Sequence, residues 1–277
     1  MDAMAQLSQN QSSGYKCIYN IENMIRISIH SYYRSKKGTS YFNNGTFPKY
    51  EDKWINSKEK IDIVKLIKSV ISKEKKYELK KKNISEIFYL PFPILISMLE
   101  NYWSSGLSDI FIDNIDNNKL VSKLKDIVEL RNAIAHNRPI NSKENVNLQN
   151  VYYFISESME TKYINLYQYF IKSQNSELQD TFIKYAEEII KSCQGYTFIK
   201  ANTIYKMVQI LDALELNTSD QKIRENINKM YLELLYIEEN MVKKYNIYAR
   251  KADQDSMSDL VTNANVIKKI ESFIRQI

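Results

Sequence analysis

Few residues in this chain are suited to tight turns, because its 277 residues include only five glycines and four prolines. Glycine supplies backbone angles that other residues avoid, and proline fixes the φ angle that many turns require. A sheet of many strands needs many such turns, so their scarcity favours long helices. Apolar residues recur at helical spacing along most of the chain, and no segment alternates as a strand does. The sequence therefore predicts an all-α fold.

A polar segment at 141–145 interrupts the apolar pattern, and we place a domain boundary there. This divides the chain into a polar, flexible N-terminus over 1–14, a helical domain over 15–145, and a second helical region of unknown role over 146–277. In the domain, helices are predicted at 14–34, 57–77, 93–103 and 118–137, the last capped by Asn117 or Asn118. In the second region, helices are predicted at 147–173, 176–194, 197–215, 219–248 and 256–276.

The cysteines and the apolar runs indicate where the chain resides. Cys17 and Cys193 are the only two cysteines, which suits a reducing compartment and provides no disulfide framework. No basic-then-apolar signal is visible near Met1, and the longest apolar run, 87–99, is too short to cross a bilayer. We therefore expect a soluble, cytoplasmic protein with no membrane partner.

Metal and nucleotide chemistry is not indicated by the sequence. The chain has two histidines, two distant cysteines and no close group of carboxylates at ligand spacing. It also lacks a glycine-rich phosphate loop and a nucleophile elbow. We expect neither a metal nor a cofactor.

Positive charge is concentrated in the first half of the chain. Residues 1–150 hold 23 Lys and Arg against 16 Asp and Glu, whereas residues 151–277 hold 16 against 17. Such an excess attracts a polyanion such as RNA, although on charge alone a solvated lysine-rich surface is the simpler interpretation. The densest basic run lies at 73–82, and its Lys75 and Lys76 are candidate contacts for an RNA backbone.

An arginine interrupts the apolar face of the helix predicted at 118–137. Arg131 projects into the middle of that face, where a guanidinium is costly unless it is paired or borders a cleft. His136 follows five residues later, near the stop at Pro139. Arginine is suited to holding a phosphate and histidine to moving protons near neutral pH. Without further context, such a pair more often satisfies helix carbonyls and the helix dipole.

Two further predictions concern the first helix. Glu22 lies near its apolar stripe, and we hypothesise that the carboxylate reaches Arg131 or Arg26 and compensates charge there. The simpler interpretation is an ordinary surface ion pair between Glu22 and Arg26, which lie four residues apart. His30 lies off the stripe and is predicted to be a surface histidine.

The residues from Arg131 to Ile140, RNAIAHNRPI, closely resemble the Arg-Asn-x-x-Ala-His signature of HEPN domains, in the branch found among bacterial abortive-infection proteins. The resemblance extends to Glu22-Asn23 followed by Arg26 in the first helix. It also includes the order of the residues FYLPF at 88–92, then Leu95 and Trp103, before the motif helix. It covers about residues 15–145.

This resemblance implies a HEPN-like helical bundle that forms a homodimer, and a metal-independent endoribonuclease acting as a toxin or antiphage effector. His136 would be the general acid and base, and Arg131 would bind the phosphate. Asn132 would orient the pair, with Asn137 and Arg138 as weaker candidates for RNA contact. An antitoxin protein or a small RNA is a possible partner. Toxins of this family that are silenced by nucleotidyltransferases usually carry a tyrosine where this chain has Arg138, so regulation of that kind is not expected.

Two other classes of function remain open at this point. One is a HEPN-fold module that binds RNA or assembles with protein and does not cleave. The other is a helical adaptor that binds only protein. Metal-independent cleavage separates the enzyme from both, and salt-sensitive RNA binding separates the first alternative from the second.

Overall fold

The computed structural model describes residues 3–38, 41–43, 45–52, 54, 60–76, 85–172, 177–194, 201–218, 221–236, 268 and 270–273. The fold is all-α, as predicted, and the described residues form no strand beyond two isolated bridges, Tyr50 with Ile61 and Phe111 with Met159. The helices are α1 (Ala3–Lys37), α2 (Ile63–Lys76), α3 (Phe92–Tyr102), α4 (Asn117–Asp126), α5 (Val128–Ala135), α6 (Ser142–Ser158), α7 (Thr161–Lys172), α8 (Glu177–Gln194), α9 (Ala201–Asn217) and α10 (Gln221–Tyr236).

The chain divides into two compact units after Tyr167, not at the predicted boundary in 141–145. The polar segment there is a helix start, because Asn141 and Glu144 form a capping box in which each side chain accepts the other residue's backbone N–H. The helix that follows, α6, packs along α1 and buries Leu148, Val151 and Ile155. α6 therefore belongs to the first unit. The second unit, from Gln168, includes α8, α9 and α10, and α9 packs against both of the others.

Several helix bounds differ from the predicted ones. α1 begins at Ala3 rather than at Gly14, and α2 begins at Ile63 rather than at 57. Of the second region's last predicted helices, 237–248 lies outside the described residues, as does most of 256–276; residues 268 and 270–273 are helical.

Two predicted helices are each broken in two. The helix predicted at 118–137 is divided between α4 and α5 at the fully buried Ile127, and its cap is Asp116, whose carboxylate accepts the Asn118 N–H. The helix predicted at 147–173 ends at Ser158 and resumes at Thr161 as α7, around the bridge that Met159 forms with Phe111. Both breaks occur where tertiary packing overrides local helix preference.

α1 is the scaffold of the first unit. It contacts α3, α5 and α6, and every residue from Asn23 to His30 is buried. Gly14 makes one of these approaches possible, because a side chain there would meet Ile134 at the end of α5, together with Ile140 and Leu148. His30 is buried and not at the surface as predicted, since the segment after α1 covers it and the Tyr41 hydroxyl lies 2.9 Å from its Nδ1. Among the described residues, no helix is long and apolar enough to span a membrane.

Candidate active site

One carboxylate on α1 serves two arginines. The Arg131 Nε–H donates to Glu22 Oε1 at 2.7 Å, and Arg26 Nη2 lies 3.5 Å from Glu22 Oε2. The hypothesis that Glu22 reaches Arg131 or Arg26 is confirmed, with both arginines as partners. Glu22 and Arg26 lie one helical turn apart on α1, and Arg131 approaches from α5. With the carboxylate ionised, this cluster of three side chains carries one net positive charge.

Arg26 is held inside the first unit on several sides. Its guanidinium donates to Asn23 Oδ1 at 3.3 Å and to the Leu90 carbonyl at 3.0 Å, and it lies 5.5 Å from the centroid of the Phe88 ring. Burial lowers the pKa of Arg26 from its ordinary value, the Glu22 carboxylate opposes that change, and the neighbouring Arg131 adds to it. Arg26 therefore ties α1 to the segment before α3.

Arg131 is more open than Arg26. Its side chain is 31% exposed, against 10% for Arg26. Apart from the bond to Glu22, Arg131 has no side-chain hydrogen bond or ion pair within the described part of the chain. The Nε bond orients the planar guanidinium, and its Nη groups have no hydrogen bond among the described residues. Two such parallel donors fit the oxygens of a phosphate.

His136 caps the C-terminal end of α5 and is exposed. Its backbone N–H bonds the Asn132 and Ala133 carbonyls, and over the described residues no hydrogen bond or ion pair of its imidazole is found. Five helical positions separate it from Arg131, a rise of about 7.5 Å and a net rotation of about 140°. On an ideal helix, Arg131 in the middle of α5 and His136 at its C-cap therefore project in different directions and do not share one face.

Asn137 and Arg138 close α5 in a Schellman motif. The Asn137 N–H bonds the Ile134 carbonyl at 3.0 Å, and the Arg138 N–H bonds the Ala133 carbonyl at 2.8 Å. Asn137 has a positive φ of 54°, which asparagine tolerates better than most residues. The backbone role of Asn137 explains its residue type without an RNA contact. The motif also fixes the backbone that carries His136.

The other predicted site residues are placed as follows. The Asn132 side chain is half-buried on α5, and the Arg138 side chain is exposed beside the helix end. Lys75 and Lys76 belong to the last turn of α2, and their side chains lie outside the described residues. The structure thus brings Glu22, Arg26 and Arg131 into contact, with His136 at the end of the same helix.

Two tyrosines beside this cluster were missed by the sequence reasoning. Tyr15 and Tyr19 on α1 are 60% and 36% exposed, with ring centroids 6.5 Å apart and ring planes inclined by 21°. The signal that identifies them is spacing, because steps of four, three and four residues place Tyr15, Tyr19, Glu22 and Arg26 on one stripe of a helix. With 21 tyrosines in the chain, that spacing was not conspicuous.

In the described parts of the chain, no group of three or more histidine, cysteine and acidic side chains is arranged to hold a metal ion. No protein-family model, curated protein or solved structure matches this chain. The resemblance to HEPN domains therefore rests on the quoted residues.

Proposed function

We propose that this chain is a metal-independent endoribonuclease of the HEPN kind, in which Arg131 binds the scissile phosphate and His136 transfers protons. One observation carries the proposal: Arg131 is oriented by a 2.7 Å bond to Glu22 while its side chain stays partly exposed, in a cluster with an excess positive charge. A partly exposed arginine that is fixed through Nε, with no bond of its Nη groups among the described residues, is suited to hold an anion. An exposed histidine closes the same short helix.

The reaction needs only groups that RNA and this chain provide. The 2′-oxygen of a ribose forms a bond to the adjacent phosphorus, and the bond from phosphorus to the 5′-oxygen of the next nucleotide breaks. The 2′-hydroxyl loses a proton and the leaving 5′-oxygen gains one, and imidazole groups suit both transfers near neutral pH. Arg131 would neutralise the charge that develops on the phosphate oxygens. The products carry a 2′,3′-cyclic phosphate and a 5′-hydroxyl.

The proposed enzyme acts as a homodimer. On an ideal helix, Arg131 in the middle of α5 and His136 at its C-cap project about 140° apart around the axis, so a second copy packed against the C-terminal half of α5 would add a second pair to the same phosphodiester. The resemblance to abortive-infection proteins suggests the setting: a cytoplasmic toxin or antiphage effector, restrained by an antitoxin protein or a small RNA.

Cleavage of RNA in the presence of EDTA tests the proposal. Wild type should cut RNA and leave cyclic-phosphate ends, and His136→Ala should lose the activity while its helical circular dichroism is unchanged. His136→Gln is the matched control, since it can form a hydrogen bond but cannot titrate, and it should be equally inactive. Sedimentation should show a dimer, and expression of wild type should arrest growth where His136→Ala does not.

Three results would contradict the enzyme. Wild type that binds RNA without cutting it in EDTA would indicate the non-catalytic RNA-binding module. Cleavage retained in His136→Ala would remove the histidine from the mechanism. Absence of any salt-sensitive RNA binding would favour the protein-binding adaptor.

A further inference from the structure

The exposed pair of rings on α1 has a defined position relative to the candidate active site. α5 runs antiparallel to α1, because Arg131 contacts Glu22 while Ile134, one turn later, lies against Gly14. Tyr15 follows Gly14, and Tyr19 lies one turn before Glu22. The two rings therefore occupy the length of α1 between the level of Arg131 and the level at which α5 ends in His136.

Other residues of the first unit pack against this part of α1. The Tyr167 hydroxyl donates to Asn20 Oδ1 at 2.6 Å, next in sequence to Tyr19. Cys17 and Ile18 of the same turns are buried. Tyr19 also lies near enough to Arg26 to influence the pKa of its guanidinium. The rings thus stand on a fixed segment of helix, and Tyr19 adjoins the charged cluster.

The chemistry of this stripe suits a single-stranded nucleic acid. Exposed aromatic rings stack on nucleic-acid bases with little regard to sequence, while cationic side chains beside them hold the phosphates. Here Tyr19 adjoins a cluster with an excess positive charge, Tyr15 pairs with Tyr19 on the side away from Glu22, and Lys16 is exposed between the two tyrosines in sequence. The bases of a duplex are stacked inside it and are not offered to such rings.

We propose that Tyr15 and Tyr19 form a base-stacking subsite for single-stranded RNA, which holds nucleotides next to the phosphodiester bound at Arg131. The proposal rests on the proposed function for the position of the scissile bond, and it names the substrate class: unpaired RNA rather than duplex. The competing occupant of the rings is a second copy of this chain, which the test separates from RNA.

RNA affinity of the double variant Tyr15→Leu/Tyr19→Leu, made in the non-cleaving His136→Ala background, tests the subsite. Fluorescence anisotropy is read with a labelled single-stranded RNA of mixed sequence, the same strand in a duplex, and a strand of equal length whose nucleotides are abasic. Loss of both rings should weaken binding of the single strand by about tenfold or more. Binding of the duplex and of the abasic strand should be unchanged, since neither offers bases to stack.

Two controls isolate the stacking. Tyr15→Phe/Tyr19→Phe keeps both rings and should bind the single strand as the parent does. Tyr236→Leu removes a tyrosine of similar exposure, 56%, from the second unit and should leave affinity unchanged. Leucine keeps an apolar, helix-compatible side chain at each position, so circular dichroism should be preserved in all variants.

The outcomes distinguish this subsite from the proposed enzyme. The subsite is overturned if the leucine variant binds the single strand as tightly as its parent does, or if it loses as much affinity for the abasic strand as for the normal one. Neither result would contradict cleavage of RNA by wild type. A dimer that dissociates in the leucine variant, with unchanged affinity per chain, assigns the rings to an interface between copies and also overturns it. A selective loss of single-strand affinity supports the subsite even if wild type proves unable to cleave.

Discussion

Arg26 and Arg131 share the carboxylate of Glu22, yet Arg26 is buried in the interior of the first unit and Arg131 is partly exposed in the middle of α5. Arg26 has four kinds of partner, namely the Glu22 carboxylate, the Asn23 amide oxygen, the Leu90 carbonyl and the Phe88 ring. Among the described residues Arg131 is paired with the Glu22 carboxylate, and its side chain is about three times as exposed as that of Arg26. The comparison teaches that one ion-pair cluster can contain both an arginine that builds the fold and an arginine that is available for a ligand.

Arg26→Ala should give the largest loss of stability. It removes a guanidinium that satisfies the Glu22 carboxylate and the Leu90 carbonyl in a buried setting, and breaking a buried pair typically costs about 3–5 kcal/mol. Urea denaturation monitored by circular dichroism measures the change. If the free energy of unfolding falls by less than about 1 kcal/mol, Arg26 contributes no more than an exposed ion pair does, and it no longer differs from Arg131.

Arg131→Ala should show the reverse behaviour, with RNA cleavage lowered by about a hundred- to a thousandfold, the usual cost of one donor to a transition-state oxyanion. Its stability should fall by only about 1 kcal/mol, since the side chain is part exposed and has one partner within the described residues. Arg131→Lys keeps the charge but not the two parallel donors, and it should recover little activity. Full activity in Arg131→Ala would exclude Arg131 as the phosphate ligand.

Part of this comparison was predictable from the sequence and part was not. An arginine in the middle of an apolar face, and a glutamate near the apolar stripe of another helix, each predict a need for a partner, and the ion pair between Arg131 and Glu22 meets both needs. The partners that make Arg26 structural could not be foreseen in the same way. The Leu90 carbonyl and the Phe88 ring lie more than sixty positions away, and only tertiary packing brings them to α1.

The fold shows the same division. Helical spacing sufficed for the all-α class, but the break at Ile127 depends on burial in the core and not on a local breaker such as glycine or proline. The burial of His30 depends likewise on Tyr41, which a loop places against it. The residues from Asn141 to Glu144 fit a capping box, whereas their polar character alone predicts a domain boundary that the structure does not have there.

Glu22→Gln tests the shared charge itself. The amide oxygen can still accept one bond, but the two guanidiniums lose their counter-charge, so we expect a loss of about 2 kcal/mol in the free energy of unfolding. Inorganic phosphate should raise the melting temperature of this variant more than that of wild type, because the cluster then carries two positive charges. Chloride at matched ionic strength is the control. An equal response of the two proteins to phosphate would show that anions do not bind at this cluster.

Asn137→Ala and Asn137→Gly should give the smallest effects, and they decide whether the end of α5 is a capping site or an RNA contact at this position. Alanine at φ 54° should cost about 1 kcal/mol, whereas glycine adopts this conformation readily and should keep wild-type stability. If the asparagine serves only the Schellman motif, Asn137→Gly should also keep wild-type cleavage, because His136 then retains its place. Reduced cleavage in a fully stable Asn137→Gly protein would instead indicate that the Asn137 amide contacts RNA. It would also extend the ligand-facing region from Arg131 to the residue beyond the helix, since a lost contact lowers activity without changing the fold.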